Sequence, residues 1–572
     1  MATPIRLRET DIMEPFSGGK QVGRSYTLVH PRPDLIERYR STGFWIDRTL
    51  GQELEAGLVR NASFPYLVFS DQRPYRGTLG EIHARARRLA SSFVELGVGA
   101  GDAVSFQLPN WIEAVEVFLA TMFIGAVSVP VVHIYGPKEL KFVLADTQSK
   151  LHVTVSQFRH LNYREMVEGM RSDLPALERV LYIDHAAFGT LYEAAPLERV
   201  YDGDPDVPAV IGYTSGTTSD PKGAIQTHRT VIAELLQRRH RDPGDTRPIP
   251  LEPPEGFNRW LVASPVGHIS GLQTGILMPI LLDRPAHFID RWDVEAVLDA
   301  LVEEDLNLGA AATFFFNSLV NHPKFRPEHI KHIRYIASGG APVPRAFGEH
   351  CNAIGVNLVR GYGSTEHPSI TGSAFADPLE KRIGTDGRAI AGVEIELRDA
   401  DGQPVAVGVA GEIHSRGPDL FVGYTDARLN AAAFDADGWF CTGDVGVLDA
   451  DGYLTITDRT KDIIIRGGEN ISAAEVEDAL NRMAGVVEVA AVAAPDERMG
   501  EHVCAFLRLG PGVAAPTLEE VRAHLTAVGI ARQKWPEELR VVDGDFSRTP
   551  SGKIKKVSLR EQLRQEARER VG

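Results

Sequence analysis

The segment Tyr213-Thr-Ser-Gly-Thr-Thr-Ser-Asp-Pro-Lys-Gly223 concentrates glycine and short hydroxyl side chains ahead of a single lysine. Phosphate oxygens favour such a composition, because they take hydrogen bonds from closely spaced backbone N–H groups and small hydroxyls. Thr214, Ser215, Gly216, Thr217 and Thr218 would form the cradle, and Lys222 supplies a mobile positive charge. The spacing is not that of a Walker A loop, which needs G-x-x-x-x-G-K-[ST]. On composition alone the segment could also be a flexible polar surface loop. Its setting, after the apolar run Ala209–Gly212 and before a helix starting near Arg229, is that of a strand–loop–helix anion site.

Six further motifs follow in order. They are Ser338-Gly-Gly-Ala-Pro342, Gly361-Tyr-Gly-Ser-Thr-Glu366, Gly438-Trp-Phe-Cys-Thr-Gly-Asp444, Asp458-Arg-Thr-Lys-Asp462, Arg466-Gly-Gly-Glu-Asn-Ile471 and Arg548-Thr-Pro-Ser-Gly-Lys553. With the first loop they resemble the AMP-forming adenylate synthetases, the family of acyl-CoA synthetases, peptide-synthetase adenylation domains and luciferase. The resemblance runs from about residue 50 to the C-terminus. It implies ATP-dependent activation of a carboxylic acid to acyl-AMP with release of pyrophosphate, then transfer to coenzyme A.

The resemblance also implies roles. Gly361, Tyr362, Gly363, Ser364, Thr365 and Glu366 would cross the adenine, with Tyr362 stacked on the base and Thr365 on the α-phosphate. Glu366, with Thr214, would hold Mg²⁺, a hard cation suited to oxygen ligands. Gly340, Ala341 and Pro342 would form the other wall of the slot. Asp444 would take the ribose hydroxyls, Arg459 would lie on the sugar and phosphate side, and Ile456 would pack under the base. Lys553 would bridge the attacking carboxylate and the α-phosphate, where anion meets anion and negative charge builds. Lys461 falls at the family's hinge, where Asp is common. Rotation there would withdraw Lys553 and bring Arg466, Gly467, Gly468 and Glu469 to the coenzyme A thiol. His268 resembles the histidine at the acyl pocket and thiol entry, acting as a gate or carboxylate contact rather than a base.

By position, His268, Phe314, Phe315, Gly339, Gly340 and His367 line the acyl pocket, His367 being the one at a position the family varies. These are mostly small or apolar, with no Asp or Lys placed for an ammonium or a second carboxylate. An apolar acid follows: fatty, alicyclic, aryl or steroid side chain. Two other functions share this set of motifs. An acyl-AMP ligase loading a carrier protein carries an insertion after the Glu366 motif, whereas here Asp444 follows Glu366 by 78 positions (444 minus 366), as short as in coenzyme A ligases. A catalytically inactive scaffold is disfavoured by the presence of Lys222, Glu366 and Lys553 together.

These residues need a large scaffold. At 572 residues the chain exceeds a single hydrophobic core. Helical periodicity over Thr78–Leu96, closed by Gly97, gives way to an apolar strand at Ala103–Gln107; the apolar stretch Val115–Ile134, broken by Gly125 and Pro130, reads as a buried helix and strand, not a membrane span. The alternation predicts a mixed α/β protein: an N-terminal extension (1–50, with Phe44-Trp45 as an anchor), a large adenylation domain of layered α/β subdomains (51–460), and a small mobile α+β domain (461–572) carrying Lys553. From about residue 393, turn signals at Asp401-Gly402 and Asp451-Gly452 mark a β-rich subdomain. Residues 238–256, dense in proline and charge, read as a solvated loop.

The formal charge of −16 argues against a nucleic-acid binder but not against ATP. Three scattered cysteines form neither a C-x-x-C pair nor a disulfide framework. No secretory signal or integral membrane segment is recognised, so a cytoplasmic protein is expected. Monomer and homodimer both stay open.

Overall fold

The structure is a computed structural model that describes residues 24–214, 221–257, 259–310, 313–459, 461–467, 469–496, 498–549 and 552–571. Its centre is the helix Ile112–Phe123, in which every side chain is buried. It packs between the helices Leu50–Arg60 and Leu79–Glu95, and the three feed one continuous apolar core. Their ends are set locally. Thr49 and Thr78 each accept from a backbone N–H three residues on while Gln52 and Glu81 reach back, a reciprocal cap at both N-termini.

A six-stranded sheet lies on this core, in the order Lys222–Thr227, Pro208–Thr214, Val127–Pro130, Ala103–Gln107, Leu151–Thr154, Arg179–Tyr182. It is parallel except for the first pair, which is antiparallel. A second sheet joins Trp260–Val262, Ala286–Ile289, Pro65–Phe69 and Tyr75–Thr78. Single bridges, Trp260 to Asn307 and Ala310 to Ala337, lead towards a third sheet of Tyr335–Gly339, Asn357–Tyr362, Thr371–Gly372 and Arg388–Ala389. The β-rich part is an antiparallel meander of Glu394–Arg398, Gly411–Arg416, Phe440–Leu448 and Leu454–Arg459. The last unit wraps helices Ala473–Leu480, Leu518–Val528 and Lys556–Val571 around a five-stranded sheet. It has its own apolar clusters.

Phe44 and Trp45 are buried, and the Trp45 indole N–H donates to the carbonyl of Pro418 at 2.8 Å, so the N-terminal segment is anchored to the body. The expectation of a solvated loop over 238–256 holds only in part. Leu251 takes a left-handed backbone (φ 59°), bonds through its N–H to Ser373 O at 2.9 Å, and covers Gly361 and Gly372. Those strands have no side chains of their own at these positions, so an apolar residue from the loop fills the space. Among the described residues no helix is long and apolar enough to cross a membrane.

Candidate active site

The site gathers where the first hairpin, the third sheet and the meander meet. Thr214 and Lys222 are register partners at the neck of the hairpin. Ser215, Gly216, Thr217 and Thr218 lie outside the described residues. The hairpin presses on the turn Gly361–Glu366 closely: a Cβ on Gly212 would stand 2.8 Å from Thr365 Cγ2, and Gln226 donates to Thr365 O at 3.4 Å.

Glu366 is held by a residue the sequence reading missed. The Tyr424 hydroxyl donates to Glu366 Oε1 at 2.8 Å, and the Lys222 ammonium stands 5.2 Å from the centroid of the same ring. Tyr424 thus ties lysine and acid into one unit. The two tyrosine partners are 202 and 58 positions away in the chain (424 minus 222 and 424 minus 366), so no local pattern links them. Its only signal was an aromatic after a glycine, Gly423-Tyr424.

On the other side, Tyr362 donates its hydroxyl to Asp444 Oδ2 at 2.6 Å, and Arg459 Nε donates to Asp444 Oδ1 at 2.8 Å. Asp444 and Arg459 are register partners on adjacent strands. Asp444 lies in a bulge of its strand against Gly411–Arg416, with Gly443 at φ 73° and the Asp444 N–H bonded to Thr442 Oγ1 at 3.1 Å. Arg459's guanidinium is held further above its ordinary value by Asp444. Ile456 is held through its N–H to Asp386 Oδ2 at 2.8 Å. Gly339 sits against the Gly361 carbonyl, with 2.4 Å for any Cβ, whereas Gly340 at φ 72° faces open space beside Ala341 and Pro342. The Ser364 hydroxyl oxygen caps the turn by accepting from the His367 N–H at 3.2 Å.

Lys553 comes from the C-terminal unit and enters the same charge cluster. Burial and the Arg459 charge lower its ammonium to about 8, while Asp444 and Glu366 pull the other way. His268 feels Lys553 in turn: burial first, and then that positive charge, take it down to about 4, so it is neutral at pH 7. Its Nδ1 caps the short helix Ile269–Leu272. The loop around Lys553 is closed by Thr549 N–H on Lys553 O at 2.7 Å.

The acyl-pocket residues are distributed unevenly. Phe314 lies under Arg548 of the C-terminal unit, whose guanidinium carbon is 4.1 Å from the ring centroid. Phe315 packs on Trp292 at 5.1 Å, and Phe316, the next residue, is the one in the core. His367 requires a correction. Its side chain is fully buried, bonded to Ser415 Oγ at 2.8 Å and to Asp419 Oδ1 at 3.1 Å, and so turned into the protein rather than onto an acyl pocket. The reason is electrostatic: Asp419 and Glu234 are both buried here, and the imidazole supplies a polar partner to the Asp419 carboxylate. Burial pushes the Glu234 carboxyl up to about 8, with Asp419 adding to the rise against the lowering by Arg238.

The residues proposed for coenzyme A are not in this cluster. Arg466 pairs with Glu537, Gly467 donates to Met499 O at 2.8 Å, and Glu469 is exposed, so the described contacts of this hairpin run within its own domain. Gly468 lies outside the described residues. Lys461 is exposed at the junction, its carbonyl 3.4 Å from Arg560 Nη1.

Residues 55–425 match the family model described as AMP-binding enzyme, and residues 475–553 match the AMP-binding enzyme C-terminal domain. The chain is 32% identical over 534 residues to the medium-chain fatty-acid–CoA ligase of Escherichia coli (strain K12), covering 92% of each chain. It is 31% identical over 505 residues to the sulfoacetate–CoA ligase of Cupriavidus necator, covering 86% of this chain and 94% of that one. The crystal structure of ATP-bound MatB from Rhodopseudomonas palustris superposes with a TM-score of 0.78 at 27% identity, over 89% of this chain and 98% of that one.

Proposed function

The chain belongs to the AMP-binding enzyme family, and from that premise we propose that it activates an apolar carboxylic acid as its acyl-AMP and hands the acyl group to coenzyme A. It is an AMP-forming acid–thiol ligase. The observation that carries the reading is the convergence of Lys553, from one domain, with Glu366, Asp444 and Arg459 from the other.

In the first step a carboxylate oxygen attacks the α-phosphorus of ATP, the bond to the β-phosphate oxygen breaks, and pyrophosphate leaves. Lys553, charged below about pH 8, neutralises the two approaching anions. Asp444, fixed between Tyr362 and Arg459, offers two aligned carboxylate oxygens to a pair of ribose hydroxyls. Thr214 and Lys222, paired at the neck of the hairpin, would face the phosphate side. Glu366 fits a magnesium ion: its carboxylate is anchored through one oxygen by Tyr424 and keeps acceptor capacity for a hard cation, with the Thr214 hydroxyl as a second oxygen. When bound, that ion would neutralise phosphate charge.

In the second step the thiol of coenzyme A loses its proton and attacks the acyl carbon, and AMP leaves. Lys461 is the pivot of this proposal, and rotation there would exchange Lys553 for the Arg466–Glu469 hairpin. The apolar acid is supported by the ring of Phe314, by Gly340, which faces open space, and by a neutral His268. The relatives' acids differ widely, so acid identity is set by the pocket of each chain.

The test is acid-dependent pyrophosphate release across a panel of fatty, alicyclic, aryl and steroid side-chain acids, with and without coenzyme A. Faster release with coenzyme A and a new thioester is expected. Release without any thioester would move the acceptor to a carrier protein or leave the adenylate as product, and no release with any acid would end the proposal.

A further inference from the structure

We infer that Glu412, His414 and Cys441 form a binding site for one borderline-soft divalent cation of the zinc class, pinning the bulge that presents Asp444. The three side chains come from neighbouring antiparallel strands. Glu412 and His414 are two apart on one strand and so share a face, and His414 is the register partner of Cys441 on the next. One ligand atom from each lies within 4.8 Å of the other two. The pairing of the two strands shifts register between Glu412 and His414, so a cation here would span an irregularity rather than a regular ladder.

The donors suit a zinc-class cation. Carboxylate, imidazole and thiolate give one oxygen, one nitrogen and one sulfur, a set that favours Zn²⁺ over Mg²⁺ or Ca²⁺ and leaves a fourth tetrahedral position for water. His414 Nδ1 lies 3.3 Å from the Glu412 carbonyl oxygen. A carbonyl only accepts, so that contact puts the proton on Nδ1 and leaves the Nε2 lone pair for a metal. His414 is nearly buried, and Cys441 is half-buried. On binding, the Cys441 thiol would lose its proton to solvent as the metal–sulfur bond forms.

Among the described residues Arg398 is the cation nearest in register to Glu412. Glu412 makes no ion pair there, because its register partner Arg398 is turned away to Glu396 and Asp435, at 2.6 and 2.7 Å. The other cluster of this kind, Asp496, His502 and Glu537, is already engaged. Asp496 Oδ1 accepts from the N–H groups of Arg498 and Met499, and Glu537 holds Arg466. The consequence of filling the first site would reach the nucleotide side. Cys441 precedes Asp444 by three positions, and Thr442 between them bonds Ile413 O at 2.8 Å on the opposite strand.

The experiment uses the full chain, stripped by a chelator and titrated with Co²⁺, Zn²⁺ and Mg²⁺ separately. One equivalent of Co²⁺ should bind with a near-ultraviolet thiolate-to-cobalt charge-transfer band, Zn²⁺ should displace it, and Mg²⁺ should not. The other two cysteines, Cys351 and Cys504, are fully buried, so the band reports Cys441. Cys441→Ser should abolish the band. His414→Ala should weaken Zn²⁺ binding by about tenfold or more, at least what outer-shell partners contribute to such sites. No charge-transfer band in the parent chain, or an unchanged band in Cys441→Ser, overturns the site. So does binding that survives the Cys441→Ser/His414→Ala pair and disappears in His502→Ala. The parent spectrum decides even where a variant fails to fold.

Discussion

Lys553 carries the heaviest chemical load of any single side chain here, and its environment gives it opposite effects on function and stability. Lys553→Ala should lower adenylate formation by about 10²–10³-fold, the usual loss for one positioned group facing developing charge, while thioester formation from supplied acyl-AMP continues. Equal loss of both steps would show that a single arrangement serves both. Because the free enzyme's ammonium sits near 8, kcat/KM for the acid should fall as pH rises through about 8. The linkage runs the other way for folding. The lysine is lowered from 10.5 to about 8 on folding, so between those values the unfolded chain holds more protons, and stability contributed by this group rises with pH. At pH 7 its buried charge is therefore a cost, and the unliganded Lys553→Ala variant should melt no lower than the parent. Tyr362→Phe isolates another contact. Removing the hydroxyl that donates to Asp444 should raise KM for ATP about tenfold, from a hydrogen bond to a charged group of about 1.5 kcal/mol, with kcat much less affected.

Two strands and a turn position most of the nucleotide side, and they do so by leaving side chains out. Tyr335–Gly339 and Asn357–Tyr362 run parallel, with Gly339 paired to Gly361. A Cβ at Gly339 would meet the Gly361 carbonyl at 2.4 Å, a backbone atom that cannot swing aside. Gly339→Ala should therefore cost about 1–3 kcal/mol of stability and raise KM for ATP, read by thermal melting and by initial rates. A variant with parental melting and kinetics would mean the strands can separate freely. The same economy explains the loop at Leu251, whose side chain occupies the space over Gly361 and Gly372.

Two bodies must cooperate for the first step, and the contacts between them include polar ones. Arg548 stacks on Phe314 across it while both Glu488 oxygens hold the guanidinium at 2.6 Å, and Arg345 N–H donates to Asp478 at 3.2 Å. Ser472 Oγ–H bonds Thr457 O at 2.7 Å near the pivot. Arg548→Ala should slow adenylate formation about tenfold through loss of the stacked contact and of orientation, with thioester formation from acyl-AMP unchanged. A fall in both steps alike would place Arg548 in the fold of its own domain instead.

Chain order and local pattern were enough to read the family motifs, the buried helix near Val115, the Thr78-capped helix and the separate C-terminal unit, because each depends on near neighbours: a cap three residues away, a period of 3.6, a glycine at a turn. They were also enough to nominate Glu366, Asp444, Arg459 and Lys553. They could not show that Tyr424 joins Lys222 to Glu366, that Arg548 covers Phe314, or that Leu251 docks on the strands of the third sheet. Nor could they turn His367 inward to Ser415 and Asp419, although it sits beside a catalytic motif. Such contacts join residues tens to hundreds of positions apart, and they depend on how sheets and domains pack and on where buried charge must find a partner. Neither is written in any local period of the chain.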